Sequence, residues 1–149
     1  MKTVIPINKC EFEQNGYHFF INAKINDNNV NLLIDTGASK SVFDKERISK
    51  YSNRNFKKYK NKSTGINADI LDSATSNIDI LTVGNCTIKN YNAVFIDLSH
   101  VNNSYSSVNL KPIDGILGSD ILFKYKAILN FSKQELELTY PKPRQNAKK

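Results

Sequence analysis

Residues 32–43 read LLIDTGASKSVF. Leu32, Leu33 and Ile34 are three aliphatic side chains in a row, which predicts a strand buried on both faces. A carboxylate, Asp35, follows at once, and then Thr36 and Gly37. Burying a bare acid is costly, so its place at the end of the most apolar strand asks for a reason. One reason is purely structural: Asp accepts backbone N–H bonds in a turn, and Gly relaxes φ. The other is catalysis.

On the N-terminal side of this stretch the dominant period is two. Phe19, Ile21, Ala23 and Ile25 alternate with His18, Phe20, Asn22 and Lys24, and NDNN (26–29) turns the chain into Val30–Asp35. That pattern predicts a hairpin. On the other side, Asp44 to Tyr51 predicts a short helix. Residues 56–81, with Gly65 among polar turn residues, predict a long hairpin, and Ile78–Val83, Thr87–Lys89 and Ala93–Asp97 predict further strands. SHVNNSYSSVNLKP (99–112) reads as a polar loop. A short helix near Ile121–Lys126, capped by Ser119 or Asp120, precedes a hairpin of Ala127–Phe131 and Glu135–Tyr140 around SKQ. There are no internal repeats. The class is mainly β, with one or two short helices.

Composition sets the bounds. With 149 residues, 40% hydrophobic and 23% charged, the chain reads as one soluble globular domain over residues 1–141, followed by a basic, disordered tail at 142–149. The N-terminus, MKTVIPINKCEF, is interrupted by Pro6, Asn8 and Lys9 and makes no signal-peptide core, and no run approaches a membrane span. The expected location is the cytoplasm. Cys10 and Cys86 lack a CxxC or a nearby His pair, so they read as two reduced thiols, with no metal and no cofactor expected. His18 and His100 are isolated and read as surface or hydrogen-bonded structural residues.

The net charge of +7 is concentrated rather than spread. Between Lys40 and Lys62 nine Lys and Arg face only Asp44 and Glu46. The segment is either a solvated basic face or a patch for an acidic partner. Tyr51, Phe56 and Tyr59 interleave with it, but it holds no RNA-binding aromatic motif, helix-turn-helix pattern or zinc-finger spacing. Nucleic acid is therefore a disfavoured partner.

A second element gives Asp35 its meaning: PIDGILGSDILFKYKAILNF, residues 112–131. Two apolar residues, Ile116 and Leu117, precede Gly118, and a short amphipathic turn and a β hairpin follow. A buried strand running into DTGAS, with a later apolar–apolar–Gly–helix–strand, resembles the retropepsin-like aspartic proteases, single-domain relatives of the retroviral proteases and of each lobe of pepsin. The similarity runs from about Tyr17 to Tyr140. It implies a closed β-barrel or sandwich in which the strand after Ile116-Leu117-Gly118 threads beside the acid-bearing strand and holds the DTG loop.

The resemblance also implies the chemistry. Two carboxyls beside one water cannot both ionise, so they share a proton and titrate as a unit. The ionised partner takes the water's proton as it attacks the peptide carbonyl, and the protonated partner stabilises the developing oxyanion. No second D-[TS]-G exists here, since DSA (72–74) lacks the Gly and IDG (113–115) places its Asp differently. The family pattern then implies a homodimer in which Asp35 and its symmetry mate form the dyad. Thr36 would hydrogen-bond across the twofold axis, Gly37 would bring its N–H to the carboxylates, and Ala38 stands where pepsin-type lobes often place Ser, which suggests a less acidic working pH.

A flap hairpin over a bound peptide is implied too, with Gly65 and Ile66 its candidates, although Gly65 reads equally as a plain loop glycine. This sequence departs from the retroviral pattern in its glycine-poor flap and in roughly 50 extra residues in the basic segment and the 99–112 loop. Asp120 reads as a helix cap, not a catalyst. The resulting expectation is an aspartic endopeptidase acting on peptides or proteins. Two rivals remain open: the same fold used as a peptide-binding module with little hydrolysis, and a basic, nucleic-acid-associated β domain whose DTG is structural.

Overall fold

The computed structural model of the chain describes residues 1–51, 57–58 and 73–143. Strands are β1 (Lys2–Pro6), β2 (Asn8–Glu11), β3 (Tyr17–Ile25), β4 (Asn28–Ile34), β5 (Val42–Asp44), β6 (Lys57–Lys58), β7 (Ala74–Val83), β8 (Cys86–Ile96), β9 (Gly115–Leu117), β10 (Ile128–Asn130) and β11 (Glu135–Thr139). Helices are α1 (Lys45–Ile48), α2 (Ser99–Ser106) and α3 (Ser119–Lys124), with a 3-10 turn at Ser49–Tyr51.

One sheet runs β2-β3-β4-β9-β5-β8-β7-β6, and a further pairing of β3 with β7 closes its six central strands into a barrel. The mainly β, closed architecture expected from the sequence is the one observed. Inside the barrel, alternate residues such as Ile21, Ile25, Leu32, Phe43, Ile78 and Leu81 are almost fully buried and form the principal core. A separate three-stranded sheet, β1-β11-β10, adds Ile5, Leu136 and Leu138 to that core.

The first hairpin forms for the reason the sequence gives. Asn26 and Asp27 take positive φ (46° and 67°), and Ile25 pairs with Asn28, so a two-residue turn joins β3 to β4. The turn is thus shorter than the 26–29 span expected. Of the three aliphatic residues before Asp35 only Leu32 is buried, while Leu33 and Ile34 are half-buried, so the strand is not buried on both faces. Helix α1 follows its predicted start, with the Asp44 carboxylate accepting from Arg47 N at 2.9 Å. The β10–β11 hairpin also forms as expected.

Several expectations need correction. Thr87–Lys89 and Ala93–Asp97 are not separate strands: β8 is continuous, and Asn90, at φ 53°, interrupts the ladder without changing its register. The N-terminal residues, given no structure from the sequence, form β1 and β2. Residues 99–112 are not all loop, because α2 occupies Ser99–Ser106. Leu98, Val101 and Tyr105, at helical spacing, seat that helix on Phe20 and Ile113. The Asp97 carboxylate accepts from Ser99 N at 2.8 Å, and the Asn102 side chain clamps both the N–H and the carbonyl of Ile113 at 2.8 and 3.1 Å.

The proposed cap of α3 also moves. Gly118 holds the N-cap position without a side-chain bond, Ser119 is the first helical residue, and the Asp120 carboxylate points elsewhere. Cys86 is buried, Cys10 is half-buried, and both are free thiols. Burial pushes the Cys86 thiol up, with Lys124 pulling weakly the other way. Among the described residues no helix is long and apolar enough to cross a membrane, and no group of His, Cys, Asp and Glu is arranged to hold a metal.

Candidate active site

Strand β9 is the axis of the site. β4 lies parallel to it on one side, with Leu32, Leu33 and Ile34 opposite Gly115, Ile116 and Leu117. β5 lies antiparallel on the other side, with Val42 opposite Ile116. The chain therefore leaves β4, loops over the end of β9 through residues 35–41, and returns as β5. Gly115 allows this squeeze: a Cβ there would stand 2.7 Å from the Val42 carbonyl oxygen.

Hydrogen bonds tie the loop to what it crosses. Asp35 N donates to the Leu117 carbonyl at 3.0 Å, which extends the ladder one residue past β4. Gly37 N donates to Asp35 Oδ1 at 2.9 Å, and Ala38 N to the Asp35 carbonyl at 3.2 Å. Ser119 N reaches back to the Ala38 carbonyl at 2.7 Å. The loop is fixed at both ends, and the Asp35 side chain is exposed.

A clamp not foreseen from the sequence sits behind the loop. Ser41, fully buried, accepts from Gly118 N at 2.8 Å and donates its hydroxyl to Asp120 Oδ1 at 2.6 Å. Ser41 N also donates to Asp120 Oδ1, and the Tyr91 hydroxyl donates to Asp120 Oδ2 at 2.7 Å. Burial works to raise the Asp120 carboxyl, but hydrogen bonds from Ser41, Tyr91 and the Ile121 amide outweigh it and hold the group below the usual carboxylate range. Burial first, and the Asp120 carboxylate second, push the Tyr91 phenol well above its usual value. Asp120 is thus a loop anchor, neither a helix cap nor a free acid. Ser41 and Asp120 stand 79 positions apart, so no local pattern links them, and nothing in the chain order announces Tyr91.

The sequence-predicted residues divide accordingly. Asp35, Thr36, Gly37 and Ala38 form the loop, while Ile116 and Leu117 lie in the strand that threads it and Gly118 follows as the N-cap of α3. Gly65 and Ile66 lie outside the described residues. Asp114, the other acid near β9, is tied up: it accepts from Arg47 Nε at 2.7 Å and from Asn31 N at 2.7 Å. It borders a cavity of about 530 Å³ whose lining does not include Asp35. A cavity without a free acid is not the chemical centre, whatever its size. Thr36 instead faces a shallow hollow of about 270 Å³ with Ser119, Leu122, Phe123, Ala127 and Leu129.

An apolar strand ending in an exposed, backbone-braced acid, with a second strand threaded through its loop, is the frame of an aspartic protease half-site. The sequence profile of the aspartyl protease family matches residues 21–121, and the chain belongs to that family, in its retropepsin-like form. A solved retropepsin-like aspartic protease from Rickettsia conorii superposes with a TM-score of 0.60 at 23% identity, covering 94% of this chain and 91% of that one. The retroviral protease-like domain of Ddi1 from Leishmania major gives a TM-score of 0.50 at 15% identity, over 76% of this chain and 81% of that one. Both likenesses are of fold. No curated protein sequence matches the chain.

Proposed function

We propose that this protein is an aspartic endopeptidase whose dyad is Asp35 and the Asp35 of a second copy, meeting across a twofold axis. The observation that carries the reading is that the loop threaded by β9 presents a single braced, exposed carboxylate, Asp35, while the acids nearest β9, Asp114 and Asp120, are consumed by structural hydrogen bonds. One acid cannot act as both base and acid on the same water, and a second copy supplies the missing group. Low dielectric at the dyad then comes from association, because Asp35 is open to solvent in the single chain.

The surface beside Asp35 supports an association face. Phe123 is 89% exposed, and Ile128 and Phe131 are more than half exposed, all within nine positions of one another. Ile128 opens β10 and Phe131 follows it; β10 is an edge strand with neither Pro nor charge in it, whereas the opposite edge, β1, is guarded by Lys2 and Pro6. The hollow under Thr36 adjoins the same patch, and the Thr36 hydroxyl has no hydrogen bond among the described residues. In the dimer that hydroxyl would bond its mate and hold both loops in register. Peptide or protein is the substrate, and Gly65–Ile66 would supply the flap.

Cleavage of a peptide library by the wild-type chain, abolished by Asp35→Asn in a protein that still folds and dimerises, is the expected result. Binding of peptides without any cleavage by the wild type would make the chain a binding module.

A further inference from the structure

His18 is used by nothing described so far, yet it shares the face of the sheet on which Asp35 lies. In the β3–β4 ladder Phe20 stands opposite Leu33. Two residues further on along each strand, on the same face by alternation, come His18 and Asp35. The imidazole is gripped on both sides. Its Nδ1 lies 2.6 Å from the Tyr105 hydroxyl, the Phe12 ring stacks at 4.8 Å and 30°, and the Tyr105 ring meets it edge-on at 5.6 Å.

The direction of the His18–Tyr105 bond follows from burial. Tyr105 is only 1% exposed, and its phenol is pushed up to about 12, first by burial and then by the nearby Cys10 and Asp35 charges. It therefore keeps its proton at any ordinary pH. A buried O–H must donate, and His18 Nδ1 is its acceptor among the described residues. Neutral His18 then carries its own proton on Nε2, and the imidazolium carries one there as well. In either state Nε2 is a donor. It has no acceptor among the described residues, and the half-buried ring leaves it reachable.

We infer that His18 is a substrate-recognition residue of the Asp35 cleft, its Nε2–H donating to an oxygen-bearing peptide side chain (Asp, Glu, Asn or Gln) next to the scissile bond. This rests on the peptidase reading above. Neighbouring strands lie about 4.8 Å apart and an extended peptide advances about 3.3 Å per residue, so His18 is one or two residues from the bond held at Asp35. A Met or Leu there would strip water from the Nε2–H and return nothing. The +7 charge of the chain favours the acidic members of the class.

The test uses short peptides with a non-cleavable hydroxyl isostere in place of the scissile amide, paired so that one carries Glu where the other carries Met, at each position in turn. At one position the Glu peptide should bind about ten- to a hundredfold more tightly to the wild type by fluorescence anisotropy. His18→Leu should erase that preference while the Met peptide binds as before, and His18→Gln, whose amide also donates, should restore part of it. Tyr105→Phe, which keeps the ring and frees the tautomer, should weaken the preference without loss of fold by near-ultraviolet circular dichroism. A preference that survives His18→Leu, or none in the wild type, overturns the inference. Cleavable versions of the same peptides test hydrolysis separately: a His18-dependent preference with no cleavage removes the peptidase reading and keeps the recognition.

Discussion

Gly118 lies directly beneath Ala38. A Cβ on Gly118 would stand 2.7 Å from the Ala38 carbonyl oxygen and 2.8 Å from the Lys40 carbonyl carbon. Both are backbone atoms of the loop that carries Asp35, so neither can swing aside as a side chain would. The extended backbone of Gly118 (φ −97°) suits any residue, and the demand for glycine here is one of space alone.

Gly118→Ala should therefore cost about 1–3 kcal/mol of stability as overpacking, read as a lower urea midpoint with an unchanged slope. Peptidase activity should fall further than stability does, because relief of the clash moves the loop holding the acid. An Ala at Gly118 that leaves both unchanged would show that the loop is not pinned there.

The Asp120 clamp makes stability depend on acid. A carboxyl held below its unfolded value, near 4, stabilises the fold above that pH, and its contribution vanishes as pH falls through the lower, folded value. Asp120→Asn should be less stable than wild type at neutral pH by about 2 kcal/mol, the scale of hydrogen bonds to a charged group. Urea titrations at falling pH should bring the two midpoints together below about pH 4. Parallel curves down to pH 2 would mean that Asp120 is not ionised in the fold.

What the sequence made legible was whatever depends on neighbours along the chain. Leu32-Leu33-Ile34 before Asp35, and Ile116-Leu117 before Gly118, carry their own pattern, and so do the Asn26–Asp27 turn and the Asp44 cap. Helix α2 was hidden because Ser99, Asn102, Asn103 and Ser104 are weak helix formers. Its three anchors, Leu98, Val101 and Tyr105, were there to be read at helical spacing, and Ile113 completes the seat from 8 residues beyond Tyr105. The Ser41–Asp120–Tyr91 clamp was not legible at all, since its members meet only once β5, β8 and α3 are assembled.

The proposed shared dyad predicts a specific mixing curve. Wild type and Asp35→Asn chains, exchanged at constant total protein well above the dimer dissociation constant, should pair almost statistically because the side chains are nearly the same size. A mixed pair holds one carboxylate and one amide, which cannot share a proton. Activity should follow the square of the wild-type fraction, so equal parts leave about one quarter. A linear fall to about one half would put a complete site in each chain.

Association should depend on the β10 patch. Phe123→Glu or Ile128→Glu places like charges together across a twofold axis and should raise the dimer dissociation constant at least tenfold by analytical ultracentrifugation. Activity per chain should recover at high protein concentration. Val108→Glu, about as exposed as Ile128 but on the turn after α2, should leave the dissociation constant where it was. Equal weakening by all three variants would point to a general charge effect instead of a seam.

The threading of β9 through the Asp35 loop also sets an order of events in time. Asn31 and Asp114, bonded to each other at the start of that threading, are 83 positions apart. On a ribosome adding about 5–20 residues per second, the acid loop emerges several seconds before the strand that fixes it. Until residues 115–118 arrive, the carboxylate rides on an unbraced chain, and closing so long a loop is slow for β structure. The proposed site therefore cannot take shape until residues 115–118 have emerged, late in the chain's own synthesis.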